Sequence, residues 1–133
     1  MVHGYVGNIE QETASNPHFR RVLYTAHNQQ LVVMTLAEGE EIGEEVHPEN
    51  DQFIRIEAGE GAAILNGERH AITDGYVVII PAGLRHNIVN VGAGPLKLYT
   101  LYSPPHHADG VVHPTKADAI KDEAEHFEGD TTE

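Results

Sequence analysis

The chain alternates short apolar runs with polar punctuation. Seven runs carry the pattern: RRVLYT (20–25), LVVMTL (31–36), QFIRIE (52–57), GAAILN (61–66), YVVIIP (76–81), HNIVNV (86–91) and LKLYTLY (96–102). They are rich in Val, Ile, Leu and Tyr and short for buried helices, so they predict strands. Gly, Asn, Asp or Pro separates most of them. Asn66-Gly67 is the dipeptide that a tight type I′ hairpin needs, Asp74-Gly75 marks a second turn, and GAGP at 92–95 a third. Many closely spaced strands without helices between them predict an antiparallel sandwich or barrel. One helix is expected, late, over 115–127. Thr115 and Asp118 approximate a capping box, Ala117, Ile120, Ala124 and Phe127 share a face suited to docking on the barrel, and Gly129 follows as a stop. No repeat or linker interrupts the chain, and 133 residues read as one domain.

One polar segment breaks the apolar pattern. EVHPENDQF (45–53) lies between two strands yet carries Glu45, His47, Glu49, Asp51 and Gln52. Positions two apart on a strand share a face, so Glu45 and His47 point the same way. After a turn at PEND (48–51), Gln52 shares the inward face of the next strand with Ile54 and Ile56, while Glu49 and Asp51 read as turn residues. Downstream, GYVVIIPAGLRHNIVN (75–90) places glycines at turns, Pro81 at a strand end, and His86 inward beside Ile88.

Two spaced motifs emerge. Gly39 is followed after five residues by Glu45-Val46-His47, after four more by Gln52 and after a further six by Gly59. Gly75, Pro81, Gly83, His86 and Asn90 form the second. Together they resemble the cupin superfamily, whose motifs read G-x5-H-x-H-x3,4-E-x6-G and G-x5-P-x-G-x2-H-x3-N. The second matches at every position. The first matches at Gly39, His47 and Gly59, with Glu45 standing for the first histidine and Gln52 for the glutamate. The resemblance spans residues 39–90. It implies an all-β fold, the cupin double-stranded β-helix or jelly-roll barrel, with a core over about 30–103 and a short C-terminal helix over about 115–127. It also implies a metal site built from Glu45, His47, Gln52 and His86.

The chemistry of these residues supports that implication. The chain has no cysteine, so a metal must be held by nitrogen and oxygen, and its ten histidines supply the nitrogen. Glu45, His47 and His86 have the composition of a 2-His-1-carboxylate site, and Gln52 with water could complete the shell of one divalent ion per chain, Fe, Mn, Zn or Ni. Glu45 would be a ligand or, lying off the metal, a catalytic general base. The alternative is a metal-free hydrogen-bonded network in which a protonated histidine compensates the carboxylate. SPPHHADGVVHP (103–114) brings His106, His107 and His113, either in an ordered crossover to the helix or in a lid with one histidine near substrate. His3, His18, His27, His70 and His126 read as surface residues. Arg55 and Arg85 read as surface or subunit contacts, and Tyr99, Thr100 and Tyr102 as possible cavity lining.

Charge narrows the partners. A net −13, from 8 Lys and Arg against 21 Asp and Glu, opposes long-range attraction to nucleic acid or an anionic membrane. An acidic surface of this kind suits either an ordinary acidic protein or a high-salt interior. The N-terminal MVHGYVGNIEQE lacks the basic and apolar regions of a signal peptide, and no apolar run approaches the roughly 20 residues of a transmembrane helix, so a cytoplasmic protein is expected. The resemblance implies a homodimer, for which FRRVLYT offers apolar and arginine-bearing surface. It further implies a small metalloenzyme acting on a small oxygenated metabolite, sugar isomerase- or epimerase-like or dioxygenase-like. A non-catalytic module that binds or senses a small ligand or metal is the alternative. The absence of an obvious basic cluster weighs against a sugar phosphate.

Overall fold

The computed structural model describes residues 2–133. The predicted runs form strands β1 (Arg20–Thr25), β2 (Gln30–Leu36), β3 (Asp51–Ala58), β4 (Glu60–Leu65), β6 (Val77–Ile80), β7 (His86–Asn90) and β8 (Leu96–Ser103). Two strands lack an apolar run. In β5 (Glu68–Thr73) only Ile72 is buried, and β9 (Val112–His113) has two residues. Their partners define them, since β5 closes a hairpin with β4 and β9 pairs with the start of β1. Asn66 (φ +50°) and Gly67 (φ +84°) both take the left-handed conformation that the type I′ turn of this hairpin requires.

The strands form two antiparallel sheets, one in the order β6-β3-β8-β2-β1-β9 and one in the order β5-β4-β7. Their inner faces enclose the core. Val32, Met34, Leu36, Ile54, Ile56, Leu96 and Leu98 of the large sheet meet Ala63, Ile72 and Ile88 of the small one. Strict alternation on β3 turns Gln52, Ile54 and Ile56 inward, and the register sets them opposite Tyr102, Thr100 and Leu98 of β8. Gly59 lets the chain pass from β3 to β4. Its φ is +93°, and a Cβ there would lie 2.5 Å from the Pro95 carbonyl oxygen.

The polar segment 39–50 is not a free loop. Glu41 bridges Val89 and Glu45 bridges His86, so this stretch runs antiparallel to β7 and extends the small sheet. Its polar side chains are thereby carried to one end of the barrel.

One expectation about the flanks is corrected. The late helix is α2 (Lys116–Lys121), six residues rather than thirteen, with the full Thr115–Asp118 capping box at its start. Ala119 is its buried residue, while Ile120 is 57% exposed and both Ala117 and Ala124 face solvent. The helical period fails beyond Lys121 because the next residues have partners elsewhere: Asp122 on His113, Glu125 on His107, and Phe127 N–H on the His106 carbonyl. The FRRVLYT run is partly covered by a further strand. β9 covers its first part, pairing Arg20 with His113 and Arg21 with Val112. A further helix, α1 (Ile9–Ser15), precedes the barrel, capped by Asn8 and burying only Thr13. Among the described residues no helix is long and apolar enough to cross a membrane.

Candidate metal centre

The backbone pins each candidate ligand before any side chain is considered. Glu45 N–H donates to the His86 carbonyl at 2.8 Å, and His86 N–H returns to the Glu45 carbonyl at 2.9 Å. The His47 carbonyl accepts from Gly83 N–H at 2.9 Å, so the turn glycine of the second motif holds the histidine of the first. Glu45 and His47 side chains consequently meet at one end of the barrel, with His86 packed beside His47. His47 Nε2 lies 3.4 Å from Glu45 Oε2, and the His47 and His86 ring centroids are 5.0 Å apart. His86 Nδ1 donates to the Leu84 carbonyl at 2.9 Å, which orients the ring and leaves Nε2 as its lone-pair nitrogen.

The third donor beside Glu45 and His47 comes from the loop after β8. His106 packs with its ring centroid 4.2 Å from that of His47, and the nearest donor atoms of Glu45, His47 and His106 all lie within 4.8 Å of one another. His86 is not in that tightest group but flanks it. Gln52 is buried on β3. Its Nε2 donates to Thr100 Oγ1 at 3.0 Å, while its Oε1 is buried with no hydrogen-bond partner.

Electrostatics favours donors in their ligating forms. Burial, reinforced by His106, His86, His107 and Arg20, lowers the His47 pKa from 6.5 to about 3. Burial, then His107, lowers His106 to about 4 despite the nearby Glu125. Both imidazoles are therefore neutral at pH 7, with lone pairs free. Burial raises the Glu45 pKa, opposed by Arg20 and His86, so this carboxylate lacks full compensation within the protein. A divalent ion bonds such donors at about 2.0–2.2 Å, which puts neighbouring donors about 3 Å apart. The 3.4 Å between His47 and Glu45 is close to that spacing, and the orphaned Gln52 oxygen is an acceptor lacking a cation or donor. The residues fit an ion held by nitrogen and oxygen.

A model of the cupin domain family matches residues 32–102. The chain belongs to this family. The cupin is 45% identical over 123 residues to the Bacillus subtilis protein YrkC, an alignment covering 87% of this chain and 66% of YrkC. It is 46% identical over 112 residues to the mimivirus protein L612, covering 81% of this chain and 70% of L612. The chain thus spans about two thirds of the length of these relatives. The crystal structure of BH2720 from Bacillus halodurans superposes with a TM-score of 0.88 at 43% identity, over 90% of this chain and 95% of that one.

Around the centre, the cupin places residues that motif spacing does not reach. Gln30 on β2 grips the 106–107 backbone: its Oε1 accepts from His106 N–H at 3.2 Å and His107 N–H at 2.9 Å, and its Nε2 donates to the His107 carbonyl at 2.8 Å. That clamp is what makes His106 a site residue. His107 lies behind, with Nδ1 2.5 Å from Glu125 Oε1 and Nε2 3.4 Å from the Tyr102 hydroxyl. Burial opposes ionisation of Glu125, but the bonds from His107 and the Ala108 N–H outweigh it and hold the carboxyl below its ordinary range. Burial likewise lowers His107 and raises Tyr102, so a neutral imidazole bridges a carboxylate and a protonated phenol. A cavity of about 290 Å³ opens beside Glu45 and His106, walled by Arg20, His107 and α2. Of the other candidates, Arg85 pairs with Glu44 at 3.0 Å on the surface, and Arg55 is half-buried beside Glu57. Thr100 and Tyr102 face inward, and Tyr99 is only half-buried.

Proposed function

We propose that this cupin is a small metalloenzyme that binds one divalent ion per chain and acts on a compact oxygenated metabolite entering the 290 Å³ cavity. The observation carrying the reading is the convergence of Glu45, His47 and His106 donor atoms within 4.8 Å of one another, with Glu45 and His106 lining the cavity. His86 packs on His47, and Gln52, with its unpartnered oxygen, pairs across the sheet with Tyr102, whose ring packs on His47 and His106. Neutral imidazoles, a carboxylate and an amide oxygen suit Fe(II), Mn(II), Zn(II) or Ni(II). Bound there, the ion would supply Lewis-acid polarisation of a substrate oxygen or, as iron, redox chemistry.

The chain's own groups have defined tasks in this reading. His86 is oriented by Leu84, His47 by the Gly83 turn, and His106 by Gln30, so the donors need little reorganisation. Glu45 holds the ion or, displaced from it, takes a substrate proton, a role its raised pKa suits. Tyr102, backed by His107 and Glu125, stays protonated as a hydrogen-bond donor. The cavity is at the lower end of ligand-site volumes, which favours a metabolite smaller than a nucleotide. Isomerase-like proton transfer and dioxygenase-like oxidation both remain within this donor set. The working unit is taken to be a homodimer in the cytoplasm.

Elemental analysis of protein purified without chelator is the first test. About one divalent ion per chain is expected, and His47→Ala, His86→Ala and His106→Ala should each lose it while keeping the β-rich circular dichroism. Full occupancy in the His47 and His106 variants would sink the assignment. Turnover of a panel of small oxo- and hydroxy-metabolites by Fe(II)-, Mn(II)-, Zn(II)- and Ni(II)-loaded protein then separates an enzyme from a binding module.

A further inference from the structure

Arg20 is the first residue of β1, and its surroundings are unusual for a chain of net charge −13. Among the described residues no carboxylate lies within salt-bridge distance of its guanidinium. Its hydrogen-bond partner is an imidazole instead: Nη1 lies 3.3 Å from His113 Nδ1. A guanidinium only donates, so His113 Nδ1 accepts, and its Nε2–H is left to donate to Asp122 Oδ2 at 3.0 Å. Arg20 Nε is buried with no partner, and the guanidinium carbon sits 5.3 Å from the centroid of the Phe19 ring. The side chain is half-buried and held through Nη1, Nε is closed off from the cavity, and Nη2 makes no hydrogen bond to the protein.

Its position gives Nη2 a destination. Arg20 lines the same cavity as Glu45 and His106. Its charge reaches the centre, lowering the pKa values of Glu45, His47 and His106 alike. The cavity wall is also rich in carboxylates, but most are already engaged. Glu125 is held by His107 and Ala108, Asp122 by His113, and Glu44 by Arg85. A half-buried guanidinium beside carboxylates that already have partners can take an anion from outside, and its fork matches a carboxylate.

We propose that Arg20 is a specificity-determining residue that anchors the carboxylate of a compact ligand whose other end faces the Glu45–His47–His106 group. The second half of that statement rests on the proposed metal centre; the anchoring itself does not. Arg20, with Lys116 the other cation on a wall of five carboxylates, matches one negative charge better than the two of a phosphate monoester. The cavity volume of about 290 Å³ restricts the ligand to small acids.

Pyruvate, its neutral analogue pyruvamide and inorganic phosphate serve as probes, titrated calorimetrically at millimolar concentration into Mn(II)-loaded and metal-free protein. Pyruvate should bind saturably, and Arg20→Gln should weaken it by about tenfold or more, the size expected for one charge-assisted contact. Arg20→Lys should fall between the two, because it keeps the charge and loses the planar fork. If Arg20→Gln does not fold, Arg20→Lys against wild type carries the comparison. Pyruvamide should bind all forms weakly and equally. The Arg20-dependent difference should persist without metal, so a failed metal centre and a failed anchor give different results. Equal pyruvate affinity in wild type and the Arg20 variants, pyruvamide binding as tightly as pyruvate, phosphate displacing pyruvate, or no pyruvate binding at all would each overturn the proposal.

Discussion

Protonation of His47 and His106 should not weaken metal binding by this cupin in mild acid. An ordinary histidine, with a pKa of about 6.5, is about ten-elevenths protonated at about pH 5.5, so two such ligands would weaken a site roughly a hundredfold between about pH 7.5 and 5.5. His47 and His106 titrate at about 3 and about 4, because burial and neighbouring positive or protonatable groups disfavour the imidazolium. At about pH 5.5 only about 3% of His106 and less of His47 would be protonated, so their combined loss stays below about twofold. Glu45 is the group whose raised pKa lets a proton compete earlier, and any steeper loss should flatten in Glu45→Gln. The metal-free chain should show the converse. The unfolded histidines bind protons below about pH 6.5 while the folded ones do not, so stability falls as pH drops from there toward about 4. The slope is at most about 1.4 kcal/mol per pH unit per histidine, and less for the half-exposed His106. Equilibrium dialysis with elemental analysis reads the first effect, and urea denaturation of the metal-free protein the second. A hundredfold loss of affinity that survives in Glu45→Gln, or metal-free stability that holds or rises into acid, would refute the reasoning.

Other outcomes follow from single contacts. Gln52→Glu should tighten metal binding, because an anionic oxygen replaces a neutral one that now lacks a partner; unchanged or weaker affinity in a titration would remove Gln52 from the ligand set. Gly59→Ala should destabilise the fold by about 2–4 kcal/mol, from the positive φ and the 2.5 Å approach to Pro95, and a loss under about 1 kcal/mol in chemical denaturation would contradict that geometry. Glu125→Ala should cost about 1–3 kcal/mol by leaving His107 Nδ1–H and Ala108 N–H unpaired, and should lower metal affinity by loosening the adjoining His106. Sedimentation across a salt series should show a dimer that strengthens as screening reduces repulsion between chains of charge −13; a monomer throughout, or dissociation by salt, would count against it.

The parts of the fold that strands can advertise locally were legible in the chain. Gln52, Ile54 and Ile56 alternate inward as read, the Asn66-Gly67 turn has the conformation its residues demand, and the two motifs are joined by the Glu45–His86 bridge. His106 was not legible as a donor beside Glu45, because nothing near it in sequence places it. The Gln30 amide does so from 76 residues away, across two sheet neighbours. The helix was overextended for a related reason. Ala124 and Phe127 keep the helical period, but Glu125 and Phe127 gain more from the 106–108 loop than from another turn. Arg20 was legible only as part of the arginine-bearing FRRVLYT run, because its pairing with the two-residue β9 has no apolar signature.

The clamp at Gln30 also bears on the order of assembly. Residues 45, 47, 86 and 106 become neighbours only when the small sheet has closed on β7 and the chain after β8 has turned back across β2. Such far-separated contacts form late, after the entropy of closing long loops has been overcome. An ion joining them would be absent from the folding transition state and present in the native one. It would act as a lock on the finished barrel, leaving the rate of folding almost untouched while slowing the opening that exposes the chain to proteases.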